Sequence, residues 1–169
     1  IQDGGVRYTE KSSFVPEEFW DNPKLDQLKL EQGDVLIALT GATTGKSGIF
    51  QYTRRAFLNQ RAGRFLPDNK GLKRSFLQFL VRQPYFQNEI SSNILVAAQG
   101  NISPKRIEKI NVALPAPEVQ DEIALLLRQL DEKVASSRAK QSTLQDLFRT
   151  LLHELMTAKI RVHEIEITP

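Results

Sequence analysis

The 169-residue chain contains no cysteine and only two histidines, His153 and His163. The lack of cysteine excludes a disulfide framework and any thiolate metal site. Two histidines on their own do not make a structural zinc centre, and no metal or cofactor is expected. No apolar run approaches the roughly 20 residues that cross a bilayer. No signal peptide opens the sequence, so the expected location is the cytoplasm, away from membranes. The first residue is Ile1 rather than Met, so no natural amino terminus is assumed. Catalytic signatures are also missing. There is no Asn-Pro-Pro-aromatic or Asp-Pro-Pro-aromatic tetrapeptide of the kind that marks amino-methyltransferases, and no glycine-rich cofactor fingerprint followed by an acid. The two histidines read as surface residues, one in an amphipathic helix and one in the tail. The expected chain is a non-catalytic one.

Acid is scarce where base is plentiful. Residues 1–116 hold 16 Lys/Arg against 11 Asp/Glu, a net of +5, whereas residues 117–169 hold 7 against 9, a net of −2. Between Val35 and Asn88 stand Lys46, Arg54, Arg55, Arg61, Arg64, Lys70, Lys73, Arg74 and Arg82, with Asp68 the only acid. A metal-dependent nuclease centre has no carboxylates to assemble there. A polyanion-binding surface needs this kind of local excess, because each neutralised phosphate releases a counterion. A solvated basic face without a partner has the same composition, and charge alone does not choose.

Along the chain, residues 1–34 show no period and carry turn formers at Gly4-Gly5, Pro16, Asn22-Pro23 and Gly33-Asp34, with Phe19 and Trp20 as expected anchors to a core. Val35–Leu39 is short, apolar and ended by glycine, a buried strand. Ile49–Tyr52 and Gly63–Leu66 are expected strands on either side of further alternation at Ala56–Leu58. Helical spacing places Leu72, Phe76, Phe79 and Leu80 on one face. A second helix from Pro84 turns Tyr85, Phe86 and Ile90 inward. Ser103-Pro104 has a serine cap with proline at the first helical position, followed by Ile107 and Ile110. Asn111–Leu114 reads as a last short strand. The fold class expected is α+β: a mixed domain over residues 1–115, a long coiled-coil helix over 116–158, and a tail over 159–169.

The long helix follows from another absence: after Pro117 there is no glycine or proline until Pro169. Ile123, Leu127, Leu130, Val134, Ser137, Gln141, Leu144, Phe148, Leu151 and Leu155 alternate in steps of four and three, an unbroken heptad seam. A helix from Glu118 to Ala158 spans about 60 Å at ~1.5 Å per residue. An exposed apolar seam must find a partner helix. The alternative is a hairpin broken near Ala135–Ser142, which no breaker residue marks.

Gly41-Ala42-Thr43-Thr44-Gly45-Lys46-Ser47 invites a nucleotide-binding reading. A phosphate loop has four residues between its glycines and leads into a helix. Here there are three, and Gly48-Ile49-Phe50 reads as strand. The other reading is a hairpin tip whose Thr43, Thr44, Lys46 and Ser47 suit a DNA backbone.

Several segments together resemble the specificity subunits of Type I restriction-modification enzymes. Gly33-Asp34-Val35-Leu36-Ile37 with the loop Gly41–Gly48 is similar to the strand and loop of their target-recognition domains. Leu58-Asn59-Gln60-Arg61 resembles the following element, and Gln99-Gly100-Asn101-Ile102-Ser103-Pro104 with Ile107 the segment leading out of the domain. Leu114–Gln120 and the stretch Leu155–Val162 resemble the start and exit of the spacer helix. The resemblance covers residues 33–162. It departs at Val119-Gln120, where Glu-Gln is commoner, at Ala158, where glycine is commoner, and in length: a full subunit has two recognition domains and two spacer helices. It implies a protein that reads one half of a bipartite double-stranded DNA target. Methyltransferase and restriction subunits on other chains would do the chemistry.

On this reading the DNA-facing candidates are Thr43, Thr44, Lys46, Arg54, Arg55, Asn59, Gln60, Arg61, Arg64, Lys73 and Arg74. Arginine suits guanine and Asn or Gln suits adenine, although for any single arginine a phosphate contact or solvent exposure is the better reading. The dimerisation candidates are Ile123, Leu127, Leu130, Val134, Leu144, Phe148, Leu151 and Leu155. The expected assembly is an antiparallel homodimer, or pairing with the other half of a longer subunit. The homodimer axis lies near Ala139, with Leu127 opposite Leu151 and Ser137 opposite Gln141. Two rival readings are a coiled-coil module whose head binds protein, and a nucleotide-binding enzyme using Gly41–Ser47.

Overall fold

The computed structural model describes residues 1, 4–7, 15–68, 70–95, 100–157 and 159. Gln99, Ala158 and residues 160–169, with His163, lie outside the described residues. The chain divides into two compact units, Ile1–Ala124 and Leu125–Pro169.

The first unit is built on a four-stranded sheet in the order β1-β3-β2-β4, with β1 Gly4–Gly5, β2 Val35–Ala38, β3 Ser47–Ile49 and β4 Ala62–Arg64. The central strand β2 runs antiparallel to β3 on one edge and to β4 on the other, and β1 joins β3 in parallel. All four β2 side chains are buried. That accounts for its continuous apolar run in place of an alternation. The neighbouring strands lie one to three residues before their expected positions, because the ladder is set by β2: Ile37 pairs with Ser47 on one side and with Gly63 on the other.

Helices cover the sheet: α1 Arg74–Leu80, α2 Pro84–Leu95 and α3 Pro104–Ile107, followed by α4 Pro117–Met156. The core joins Val35 and Ile37 of the sheet to Leu77, Val81, Phe86, Ile90 and Ile102. Phe65 meets Phe86 edge-on at 6.1 Å. Asp68 opens the approach to α1: its Oδ1 accepts from the amides of Lys70, Gly71 and Leu72. These bonds, that from Gly71 foremost, hold its carboxyl below the usual carboxylate range.

Some expectations are corrected. Tyr85 is exposed, because Phe86 and Ile90 already define the inner face of α2. Phe19 is exposed too, whereas Trp20 stacks on Phe57 at 4.2 Å. Ser103 stands at the cap of α3 without a side-chain capping bond. Asn111–Leu114 forms no strand; Val112 packs on the core without a ladder. The long helix runs unbroken from Pro117 to Met156, so there is no hairpin at Ala135–Ser142.

Gly45 holds the loop after β2 against α2. Its φ is +83°, and a Cβ there would lie 2.7 Å from both Ile90 Cγ2 and Ile94 Cδ1. Gly45→Ala is therefore expected to cost about 2–4 kcal/mol, from backbone strain plus overpacking. Urea unfolding of the two proteins measures the difference.

Candidate nucleic-acid interface

Two adjacent amides at the end of β2 gather the candidate residues. Ala38 N–H donates to the Lys46 carbonyl at 3.0 Å, and Leu39 N–H donates to the Arg61 carbonyl at 2.8 Å. The loop before β3 and the turn before β4 are thus brought to the same end of the sheet from opposite sides. Thr43, Thr44, Lys46, Asn59, Gln60 and Arg61 all belong to these two segments. The separation of β3 and β4 across β2 is about 9–10 Å at this end.

Between the two segments lies a cleft of about 410 Å³. Thr40–Thr43 form one wall, Phe57–Asn59 with Arg61 the other, and the buried Leu36 and Ala38 line it from below. The Thr44 hydroxyl donates to the Gly41 carbonyl at 2.6 Å. Asn59 Oδ1 accepts from Arg61 N–H at 3.0 Å, which fixes the turn. The Lys46 and Gln60 side chains are exposed.

The same loop is unsuited to cradle a triphosphate. A phosphate loop offers its amides outward. Here the amides of Thr44, Gly45 and Lys46 donate to the carbonyls of Gly41, Ala38 and Thr43 at 3.0, 2.8 and 3.0 Å. The loop then enters β3, not a helix.

The other end of β2 carries a different arrangement, which the sequence reading missed. Asp34 is 1% exposed. Its Oδ2 accepts from Arg64 Nη1 at 3.0 Å and from the Glu31 amide at 2.9 Å, and its Oδ1 accepts from Arg74 Nη2 at 3.2 Å. Arg64 also donates to the carbonyls of Lys29 and Gln27 at 2.6 and 2.7 Å. Its side chain is only 13% exposed. Arg64 is thus held inside the fold, and Arg74 is shared between Asp34 and Glu31. Lys73 precedes α1, and its amide donates to Gln120 Oε1 at 2.9 Å. Arg55 lies over the Trp20 ring, 5.9 Å from its centroid. Arg54 is exposed.

Gln120 is a second residue the sequence reading did not single out as functional. It is fully buried in the first turn of α4. Its Nε2 donates to the carbonyls of Gly71 and Pro115 at 2.7 and 2.8 Å, so every polar group of the side chain amide is engaged. Along α4 the seam residues Leu130, Val134, Leu144, Phe148 and Leu151 are exposed, Phe148 by 67%, while Ile123, Leu127 and Leu155 are half-buried. Among the described residues no group of three potential metal ligands occurs, and no helix is long and apolar enough to cross a membrane.

Asp34→Ala leaves Arg64 without its counter-charge in a nearly closed site. The expected loss is about 3–5 kcal/mol of stability, well above that of Arg74→Ala, which thermal or urea unfolding will rank.

A family described as the Type I restriction modification DNA specificity domain matches residues 4–146. The Type I restriction enzyme MjaVIII specificity subunit of Methanocaldococcus jannaschii is 30% identical over 165 residues, which is 95% of this chain and 38% of that protein. The chain thus spans well under half the length of this relative. The crystal structure of the HsdS subunit from Thermoanaerobacter tengcongensis superposes with a TM-score of 0.52 at 21% identity, over 75% of this chain and 30% of that one. At that identity the likeness is one of fold. Taken with the match over residues 4–146, these findings establish that the chain belongs to the Type I restriction modification DNA specificity domain family.

Proposed function

We propose that the first unit reads one half of a bipartite double-stranded DNA sequence, and that the exposed seam of α4 pairs with an antiparallel helix. That helix comes from a second copy or from the rest of a longer subunit. The pairing would set the distance between two reading domains, while methyltransferase and restriction subunits carry out the chemistry. On this reading the chain has no reaction of its own and works in the cytoplasm.

The observation that carries DNA binding is the sorting of the basic residues. Arg64 and Arg74 are engaged with Asp34. Lys46 and Arg61 are exposed at the opposite end of β2, beside a cleft. A fold that needed these cations only for stability would have paired them. The DNA-facing set is therefore Thr43, Thr44, Lys46, Asn59, Gln60 and Arg61, with Arg54, Arg55 and Lys73 as flanking phosphate contacts. Arg64 is left out, and Arg74 serves the fold first.

Lys46→Ala combined with Arg54→Ala is expected to weaken duplex binding and to flatten the plot of log affinity against log salt by about two, one per lost phosphate contact. An unchanged slope and affinity would overturn the DNA reading and favour a protein-binding head.

For the helix, a centre at Ala139 puts Leu127 opposite Leu151 and Ser137 beside Gln141. A slip of one heptad would bury a polar seam residue against leucine or valine, at about 1–3 kcal/mol for each unsatisfied group. In a pair of identical chains this register also sets Arg138 near its own copy and Lys140 near its own copy on the two flanks. Homodimers are therefore expected to tighten as salt rises. Cysteines at 127 and 151 should cross-link between chains and 127 with 127 should not; the reverse result would mean a parallel pair.

A further inference from the structure

The geometry points to Arg61 as a base-reading residue that recognises a guanine whose edge enters the cleft between Thr40–Thr43 and Phe57–Arg61. This rests on the DNA reading proposed above and gives it a specific base at a specific side chain.

Backbone anchoring is the first ground. The Arg61 carbonyl is held by Leu39 N–H at 2.8 Å and its amide by Asn59 Oδ1 at 3.0 Å. A residue fixed on both sides of its Cα presents its side chain from a defined origin, which base readout requires and a general phosphate contact does not. The second ground is that the guanidinium is not spent. Arg64 is committed to Asp34 and two carbonyls, and Arg82 lies over Phe79 at 5.6 Å. The Arg61 side chain is exposed, and among the described residues no hydrogen bond, ion pair or ring contact holds its head.

The chemistry of the cleft chooses the ligand. No acid lines it. Asn59 Oδ1 accepts from the Arg61 amide, which turns its NH₂ away from that bond, so the turn offers donors from both Asn59 and Arg61. Such a site matches a ligand edge that presents acceptors. Guanine shows two adjacent acceptors, O6 and N7, in the major groove, and the arginine fork meets both at once. Phosphate also accepts, but it gains nothing from apolar surface. Leu36, Ala38 and Leu58 line this cleft, and they suit the C–H positions along a base edge better than a phosphate.

Two sources could supply guanine: a duplex, or a free nucleotide. The experiment takes the whole chain and selects bound sequences from random duplex DNA with the parent, Arg61→Ala and Arg61→Gln. Circular dichroism and urea unfolding confirm that the variants are folded. The parent should select guanine at a defined position by roughly 5- to 150-fold over other bases. Arg61→Ala should lose that one preference and keep the rest of the motif, and Arg61→Gln should move it toward adenine. Guanine still selected by Arg61→Ala overturns the assignment. So does a uniform loss of affinity with a salt slope flatter by about one, which marks a phosphate contact. Saturable micromolar binding of GMP to the parent, abolished in Arg61→Ala, would make the cleft a free-nucleotide site and equally overturn it. If the parent selects no sequence at all, the DNA reading itself fails. If it selects one that Arg61 does not influence, only the present assignment fails.

Discussion

The buried carboxylate of Asp34 is the contact on which the first unit turns. It stands immediately before β2 and draws in Arg64 from the end of β4 and Arg74 from the start of α1, together with the Glu31 amide. Its own backbone carbonyl accepts from Phe50 N–H at 2.8 Å, just beyond β3. One residue therefore ties β2, β3, β4 and α1 at one end of the sheet. A carboxylate this deeply buried is tolerated because two guanidinium groups and an amide replace its water, whereas its removal would leave Arg64 stranded.

Gathering the fold's internal charge at that end frees the opposite end. β2 uses both its edges, and its last amides fix the carbonyls of Lys46 and Arg61. The loop tip and the turn then face each other across a cleft, with the amides of Thr44, Gly45, Lys46 and Arg61 and the Thr44 hydroxyl bonded internally. What remains for a ligand is side-chain chemistry, chiefly donors.

The second unit follows a simpler rule. Its helix carries exposed leucine, valine and phenylalanine at heptad spacing, with Leu126, Leu147 and Leu152 exposed as well. An exposed apolar stripe of this extent marks a candidate contact surface. Ser137 and Gln141 interrupt the seam in the middle, where a polar layer can fix register at some cost in affinity.

The sequence by itself determined the periodic features. The buried run Val35–Ala38, the helices from Pro84 and Pro104, and the long breaker-free helix from Pro117 all follow from spacing and from where glycine and proline stand. The motif order around Gly33–Gly48 and Leu58–Arg61 pointed to the family, and the three-residue glycine gap with a strand behind it argued against a phosphate loop. Tertiary structure alone decided which cations are spent. Arg61 and Arg64 are three residues apart and chemically identical. Yet the antiparallel register of β4 on β2 places Arg61 beside Leu39, at the open end, and Arg64 opposite Leu36, within reach of Asp34. Neither propensity nor composition encodes that difference, because it depends on a partner 30 residues away in sequence. The roles of Asp34 and Gln120 were hidden for the same reason. A polar residue is read from sequence as surface by default, and only the packed fold shows that its hydrogen bonds are met inside.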